Sequence, residues 1–317
     1  MKILKSIATS FSLICLSVSL FAQTNQQNSF EGLGEEDKNI LIANDLGRNG
    51  YYLQKPIAEQ MGKLAENIDI EFIAALGDIH HFDGVASVSD PLWMTNYELI
   101  YAHPELMIDW KSICGNHEYR GNTQAVLDYT NISRRWSAPS KYYSEIVELE
   151  NNQKAVLLFI DTTPLISKYR KESDSYPDAI KQDNKRQLAW MDSTLQANKD
   201  AKWKIVMGHH PVYAQTKKSE GERIDLQKQL VPIMERNGVN AYLCGHIHNF
   251  QHIKPKNSKI NYFVNSSGSL ARKVQPTTDT QFCSSEAGFM LMSLNDKKIT
   301  YYMINPEGEV IYKFVSE

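Results

Sequence analysis

Short apolar runs alternate with amphipathic stretches along the chain from residue 39 onward. The apolar runs predict buried strands, and apolar residues at helical spacing, such as Leu188, Met191 and Leu195, predict helices between them. Strands are predicted over residues 39–43, 71–76, 107–114, 155–160, 203–207 and 240–244, and helices over residues 56–67, 92–102, 123–135, 183–197 and 226–237.

The pattern changes near residue 259. Residues 259–264, 287–294, 299–305 and 310–315 alternate between apolar and polar positions, which is typical of antiparallel strands. Parallel strands with crossover helices, followed by antiparallel strands, predict an α/β fold with two sheets and helices outside them. The sequence contains no internal repeat, phosphate-binding P-loop or dinucleotide fingerprint.

The first residues carry the signature of a secretory signal. Lys2 and Lys5 precede a mostly apolar stretch over residues 7–21, and Ala22 provides a cleavage site. This stretch is too short and too rich in serine for a membrane span. A lipid anchor at Cys15 is disfavoured because bulky Ile14 precedes it. We therefore expect export, either to a periplasm or out of the cell.

Composition and the remaining cysteines fit one soluble globular domain over residues 39–317, after a signal at 1–22 and a disordered linker at 23–38. The chain has 317 residues, 42% of them hydrophobic and 22% charged. A net charge of -3 gives no reason to expect nucleic acid as a partner. Cys114, Cys244 and Cys283 remain after cleavage, and an odd number does not describe a disulfide framework. Cys114 and Cys244 are predicted to be core thiols.

Polar motifs follow the predicted strands, which is where open α/β sheets bind ligands. In chain order these motifs are Asp45-Leu46-Gly47, Gly77-Asp78 with His80 and His81, Gly115-Asn116-His117-Glu118, Gly208-His209, and Gly245-His246-Ile247-His248. A pair of metal ions can activate water and neutralise a phosphoryl group, and it needs carboxylates and imidazoles around an open face. Mixed oxygen and imidazole ligands suit Zn, Fe or Mn better than Ca or Mg.

The motifs resemble those of the purple acid phosphatases, particularly the small tartrate-resistant type, within the calcineurin-like metallophosphoesterases. The likeness covers roughly residues 39 to 270. It implies a four-layer α/β/β/α sandwich with two mixed sheets and a binuclear metal centre. It also implies a phosphatase that cleaves small phosphate monoesters through attack by a metal-bound hydroxide.

The resemblance assigns a role to each motif residue. It implies that Asp45 and His248 bind the first metal and that Asp78 bridges the two. The second metal would be bound by Asn116, His209 and His246.

The same resemblance implies that His117 protonates the leaving alcohol or orients the phosphate. Asn116, His80 and His210 are further candidates for substrate contact.

One departure concerns His81, which replaces the tyrosine that gives the family its purple colour and helps to hold ferric iron. A neutral imidazole removes one anionic ligand and leaves Asp45 and Asp78 as the two negative charges. A divalent pair is therefore expected, and the protein should not be purple. His81 is predicted to fill the position that a histidine two residues after the first aspartate takes elsewhere in the superfamily, where this chain has Gly47. His80 is the alternative ligand, and His81 could instead pair with His117.

A second departure lies in the loop after His209, where residues 214–224 lack the substrate-side histidine of the small phosphatases. Lys217, Lys218 or Arg223 could meet phosphate there, or the loop could simply be charged and exposed. Glu118 stands where these phosphatases have aspartate, a change expected to be silent.

Two alternatives to a monoesterase stay open. The same site could act on phosphodiesters, nucleotides or phosphoproteins, since loops decide the substrate. The chain could also be a catalytically silent module that binds metal or phosphate.

Overall fold

The computed structural model describes residues 30, 33, 34, 36–218 and 220–317. The predicted signal at residues 1–22 lies outside the described residues, as does most of the predicted linker at 23–38. Where that linker is described, the ring of Phe30 lies 5.3 Å from that of Tyr302. The first strand already begins at Lys38. Within the described ranges, no helix combines the length and the apolar character that crossing a membrane requires.

The described residues form two mixed sheets of seven strands each. The strands are β1 Lys38–Ala43, β2 Phe72–Ala75, β3 Trp110–Ser112, β4 Trp136–Ser137, β5 Tyr143–Glu148, β6 Lys154–Phe159, β7 Trp203–Met207, β8 Ala241–Cys244, β9 Phe250–Ile253, β10 Asn261–Val264, β11 Thr280–Ser284, β12 Phe289–Leu294, β13 Ile299–Ile304 and β14 Val310–Ser316. The α-helices are α1 Gln54–Ala65, α2 Thr123–Asp128, α3 Ser167–Lys171, α4 Asn184–Ala197 and α5 Glu220–Arg236.

Each sheet combines a parallel core with antiparallel edges. One sheet has the order β14-β13-β12-β1-β2-β3-β4, and the other has the order β11-β9-β10-β8-β7-β6-β5. β1 to β4 pair in parallel, as do β6, β7, β8 and β10. The loops that follow these parallel strands therefore lie at the same end of each sheet.

Alternate residues of each strand face different layers, because successive side chains point to opposite faces of a sheet. Ile40 and Ile42 of β1 lie in a core shared with Leu157 of β6, which is the core between the sheets. Leu41 lies in a second core that also contains Ile57 of α1. The result is the expected four-layer α/β/β/α sandwich, with helices covering the outer faces of two sheets.

The predicted strands are confirmed with boundaries shifted by a few residues, and β7 matches its prediction at both ends. The sequence analysis missed β4, β5, β9 and β11, whose short or polar sequences carry a weak apolar signal. The segment 259–264 is only partly antiparallel, since β10 pairs in parallel with β8 and antiparallel with β9. Cys114 and Cys244 are buried free thiols, as predicted.

The helix predicted over residues 92–102 is shorter in the structure, since helical structure ends at Glu98 and most of it is a five-residue π-helical turn at Met94–Glu98. The carbonyl oxygen of Asn96 accepts from Gln54 Nε2 at 2.9 Å, and the amide of Ile100 donates to Tyr97 instead. Polar contacts to the neighbouring loop thus replace the regular helical ladder.

Two other helices differ in extent. The segment predicted over 123–135 is helical only to Asp128 before a 3-10 turn at Tyr129–Asn131, and α5 begins six residues before its predicted start at 226.

His252 in β9 provides a pH-dependent contribution to stability. Burial lowers the pKa of His252 to about 4, although the hydrogen bond that the ring donates to Asn261 acts to raise it. Nε2 lies 3.1 Å from Asn261 Oδ1 and Nδ1 lies 2.8 Å from the Tyr312 hydroxyl, so the neutral ring is fully partnered.

Because the unfolded chain takes up the His252 proton first, the free energy of unfolding should fall as pH decreases from about 6.5 to about 4. His252 should account for about 3 kcal/mol of this fall. We expect urea denaturation of a His252→Gln variant to show a correspondingly shallower dependence over that range. Parallel curves for the two proteins would contradict this assignment.

Candidate metal centre

The predicted site residues lie in loops that follow five strands. Asp45 follows β1, Asp78 and His81 follow β2, Asn116 and His117 follow β3, His209 follows β7, and His246 and His248 follow β8. The first three strands belong to one sheet and the last two to the other. The two sheets therefore build the site jointly, which places it at one end of the sandwich.

Carboxylates and imidazoles meet there at short range. His248 Nε2 lies 3.1 Å from Asp45 Oδ1, and His209 Nε2 lies 3.1 Å from Asp78 Oδ2. His81 Nε2 lies 3.6 Å from Asp78 Oδ2. Ligand atoms of Asp45, His81 and His248 fall within 4.8 Å of one another, and so do those of Asp45, Asp78 and His209. Asp45 belongs to both groups, so the two groups adjoin.

Each of three candidate imidazoles uses one ring nitrogen for support and turns the other toward the cluster. His209 Nδ1 lies 2.8 Å from the Leu76 carbonyl oxygen, and His248 Nδ1 lies 3.1 Å from that of Leu270. A ring nitrogen so placed donates its proton, which leaves the lone pair of the other nitrogen facing the carboxylates. Metal-binding histidines are typically held in this way.

His246 follows the same arrangement with a carboxylate as its support. Its Nε2 lies 3.3 Å from Glu222 Oε2, and its Nδ1 lies 3.3 Å from His209 Nε2. Glu222 also pairs with Lys168 at 3.0 Å. Because Lys168 lies 54 positions away in the sequence, no local sequence pattern reveals the surroundings of Glu222.

Several buried polar atoms of the cluster have no hydrogen-bond partner among the residues that the structure describes. They are Asp45 Oδ1, Asn116 Oδ1 and both ring nitrogens of His81. Burying such atoms without a partner is costly. Burial also lowers the pKa of His81 well below its ordinary value, despite the opposing effect of Asp78. The ring is thus neutral at neutral pH, the form that binds metals. This donor set fits metal ions.

The backbone at these loops is strained. Asp45, Asp78, His246 and His248 have φ values of 52°, 53°, 73° and 58°. Non-glycine residues seldom adopt this left-handed region, and they do so mostly where function requires it. Four sharp turns therefore direct the candidate ligands into one space.

The structure explains why position 47 is glycine and cannot carry the histidine that the wider superfamily has two residues after the first aspartate. A Cβ at Gly47 would lie 2.1 Å from the Ile79 carbonyl oxygen. His81 comes from that same neighbouring loop and reaches Asp45 and His248 instead.

Comparison with known proteins agrees with this geometry. The sequence profile of the calcineurin-like phosphoesterases matches residues 38–250. Purple acid phosphatase 17 of Arabidopsis thaliana is 30% identical, with 96% of this chain and 92% of the relative covered. Tartrate-resistant acid phosphatase type 5 of Homo sapiens is 28% identical, with 81% and 82% covered. The chain belongs to the purple acid phosphatases, within the calcineurin-like phosphoesterases.

Solved structures support the fold. A purple acid phosphatase from yellow lupin seeds superimposes with a TM-score of 0.62 at 13% identity, covering 89% of this chain and 54% of that one. GAP50 of Plasmodium, described as the anchor in the inner membrane complex, superimposes with a TM-score of 0.77 at 22% identity, covering 88% of each chain. This purple acid phosphatase is thus a metal-dependent phosphoesterase, and its family implies a binuclear metal centre.

A cleft of about 390 Å³ opens onto the candidate metal ligands. Asn116, His117 and His246 line its inner end. The cationic side chains around it are Arg48, Arg120, Lys168, Lys218 and Arg272, and Glu222 is the carboxylate among its lining residues. Of the three loop cations considered from sequence, only Lys218 lines the cleft, and its Nζ donates to the His246 carbonyl oxygen at 2.8 Å.

His117 lies at the boundary between the ligands and the cleft. Its amide donates to Asp78 Oδ1 at 2.9 Å, and its Nδ1 donates to the Phe82 carbonyl oxygen at 2.5 Å. Its Nε2 lies 3.8 Å from Asp78 Oδ2. The rings of His117 and His81 lie 4.1 Å apart, without a hydrogen bond between them among the described contacts.

His80 and His210, both predicted to contact the substrate, are buried away from the cleft. His80 is fully buried, with its ring 4.4 Å from Trp93 and its Nδ1 3.5 Å from Asn96 Nδ2. His210 is also fully buried, and its Nε2 lies 3.1 Å from the Tyr169 hydroxyl. Neither ring lines the cleft, so the structure gives no support to the predicted substrate contacts, which stay predictions. His81, not His80, is the imidazole beside Asp45 and His248.

Glu118 holds the loop of Asp78 against its own loop, a role that the sequence analysis did not foresee. Its Oε2 accepts from the amides of Asp78 at 2.8 Å and Gly115 at 2.7 Å, and its Oε1 accepts from the His80 amide at 3.0 Å. Burial and the nearby charge of Asp78 raise the pKa of Glu118 to about 7. The Glu118 carboxylate therefore supports the Asp78 loop, and the expectation that glutamate in place of aspartate is silent stays a prediction.

A Glu118→Ala variant should bind metal about 10- to 100-fold more weakly, because three backbone amides lose their acceptor and the Asp78 loop is released. Titration calorimetry with Zn or Mn would measure this loss. Glu172→Ala, which removes an exposed carboxylate, is the control and should bind as the wild type does. Equal affinities for the Glu118 variant and the wild type would contradict the supporting role.

Proposed function

We propose that this chain is an exported phosphatase that hydrolyses phosphate monoesters with two metal ions. One observation carries the proposal. The imidazoles of His209 and His248 turn a ring nitrogen to Asp78 and Asp45, and His246 Nδ1 lies 3.3 Å from His209 Nε2, next to a cleft rich in cations. The names of the relatives support the phosphatase activity.

The proposed ligands divide into two groups around Asp78. Asp45, His81 and His248 would hold one metal, and Asp78 would lie between the two sites. Asn116, His209 and His246 would hold the other. When bound, two such cations lower the pKa of a coordinated water and withdraw charge from the phosphoryl oxygens.

The remaining side chains would bind and orient the ester. His117 donates from Nδ1 to a carbonyl group, so its Nε2 is the atom that would hold or pass a proton at the leaving oxygen. Lys218 and Arg48 line the cleft, where they would neutralise phosphate oxygens.

The charge of the cleft favours monoesters over diesters. Its five cationic side chains face a single carboxylate among the lining residues. A monoester near neutral pH carries up to two negative charges on its phosphate, whereas a diester carries one. The excess of positive charge therefore stabilises the monoester more strongly. Diester, nucleotide or phosphoprotein hydrolysis remains the alternative, as does a silent metal-binding module.

Metal removal and replacement would test the proposal. The stripped protein should not hydrolyse p-nitrophenyl phosphate, and activity should return on separate reloading with Zn, Mn or Fe(II). Asp78→Asn should lower kcat by about 1000-fold or more, because the carboxylate between the two metals is lost.

Asp174→Asn removes an exposed carboxylate and should leave kcat unchanged. Turnover of bis-p-nitrophenyl phosphate faster than that of the monoester would favour the diesterase. Lack of turnover on either ester with every metal would favour the silent module.

His81 should determine the spectrum of the iron-loaded protein. We expect the wild type with ferric iron to lack a visible charge-transfer band, because an imidazole stands where its relatives have tyrosinate. A His81→Tyr variant should gain the band, and His103→Tyr, a change at a histidine outside the cluster, should not. A purple wild-type protein would contradict the assignment of His81.

We also propose cleavage after Ala22, from the charge and hydropathy pattern of residues 1–22. N-terminal sequencing of the mature protein should then begin at Gln23. An N-terminus at Met1 on the exported protein, or retention in the cytoplasm, would contradict it.

A further inference from the structure

A hollow of about 500 Å³ adjoins the proposed phosphatase site. Arg48, Tyr51, Tyr52, His81 and Phe82 line it. His81 is also a candidate ligand, and Arg48 and Phe82 line the cationic cleft as well. The hollow is thus continuous with the cleft and begins at the metal ligands.

The hollow collects exposed aromatic rings. Tyr51, Tyr52 and Phe82 are 72%, 68% and 65% exposed, and the structure describes no other exposed aromatic side chain in the ranges that it covers. Scattered apolar residues on a surface need no explanation, but apolar groups gathered in one hollow mark a binding site.

The loop that carries two of these rings is held rigidly. The amides of Arg48 and Gly50 donate to Gln54 Oε1 at 3.1 and 2.8 Å, and the Asn49 amide donates to Asn96 Oδ1 at 2.6 Å. Gln54 and Asn96 are both fully buried. Buried polar side chains therefore fix a loop whose own aromatic side chains remain in water.

Tyr52 adds backbone strain to this loop. Its φ of 55° lies in the left-handed region, which a bulky residue rarely adopts. Strain of this kind is kept where the position of the side chain has a use. Because the ring of Tyr52 is exposed, packing into the core does not explain this strained conformation.

Arg48 provides a further planar surface. Its guanidinium carbon lies 4.8 Å from the centre of the Phe82 ring, and the residue is only 8% exposed. Its Nε and one Nη have no hydrogen-bond partner within the described part of the chain. Guanidinium and aromatic planes both stack favourably on a planar ring.

We infer that this hollow binds a planar aromatic ring in the leaving group of the phosphate ester. This inference rests on the proposed monoesterase function, since the phosphate is taken to lie at the metal ligands. From the metal ligands, the organic part of the bound ester extends either along the cleft or into the adjoining hollow. The cleft shares the Phe82 ring with the hollow, but among the described residues the exposed rings of Tyr51 and Tyr52 line the hollow and not the cleft. The ring could belong to a simple aryl-substituted alcohol or to the base of a nucleotide.

Two matched esters test the inference on the full, metal-loaded protein. Benzyl phosphate and cyclohexylmethyl phosphate both release a primary alcohol and have similar size, but only one presents a planar π surface. We expect kcat/KM to favour benzyl phosphate by about fivefold, the effect of one or two aromatic contacts. Equal kcat/KM values for these two esters, together with equal values for the nucleotide pair below, would overturn the inference.

Leucine substitutions keep apolar bulk and remove the rings. Tyr51→Leu combined with Phe82→Leu should reduce the preference for benzyl phosphate to less than about twofold. Tyr51→Leu alone should give an intermediate preference for benzyl phosphate. This single variant provides the test if the double variant does not fold. Ile132→Ala, at an exposed apolar position outside the hollow, should keep the wild-type preference. An unchanged preference in an active double variant would also overturn the inference.

A second pair distinguishes the sources of the ring. Adenosine 5′-monophosphate and ribose 5-phosphate share the same ester bond and differ in the base. A preference for the nucleotide that the leucine variants reduce would identify a nucleoside ring as an occupant, whereas a preference within the benzyl pair alone would identify a small aryl group. Failure to hydrolyse any of the four esters contradicts the monoesterase and this inference together; turnover without preference in either pair contradicts this inference alone.

Discussion

The burial of two carboxylates is the constraint on which the rest of the site depends. Asp45 and Asp78 are 0% and 1% exposed, and a buried charge is stable only with opposite charge and hydrogen bonds around it. Burial alone would raise the pKa of Asp45, but the nearby charges of His248 and His209 outweigh this effect, lower the pKa and keep the carboxylate ionised. The imidazoles, the strained turns and the carbonyl groups behind the rings all serve to surround these two carboxylates. A pair of cations completes the same compensation, which is why the site fits metals.

The site has an inner part, which contains the candidate metal ligands, and an outer part, which attracts the substrate. The inner part combines carboxylates with imidazoles. Its geometry is set by Glu118, which does not line the cleft, and by Glu222, which supports His246 and also lines the cleft. The outer part is a cleft of cations, where an anion is attracted before it reaches the ligands. His117 connects the two, since its amide contacts Asp78 and its ring faces the cleft.

The sequence predicted those features that depend on short segments. Each ligand motif directly follows an apolar strand, so the end of the strand already fixed where its polar residues would lie. The choice between His80 and His81 could not be made, because it depends on the direction of a loop that packs against Trp93 on one side. The roles of Glu118 and Glu222 depend on contacts across 40 and 24 positions of the chain, which no local pattern records.

The order of strands has a consequence for how the site assembles. β1, which leads to Asp45, pairs with β12 near the end of the chain, and the hydroxyl groups of Ser267 and Ser269 donate to the Asp45 carbonyl oxygen. A nascent chain that has already exposed His248 therefore contains every candidate ligand and still cannot close the sheet beneath Asp45. Contacts of such long sequence separation make folding slow. The strand that leads to Asp45 therefore gains its β12 neighbour only after every candidate ligand has been synthesised.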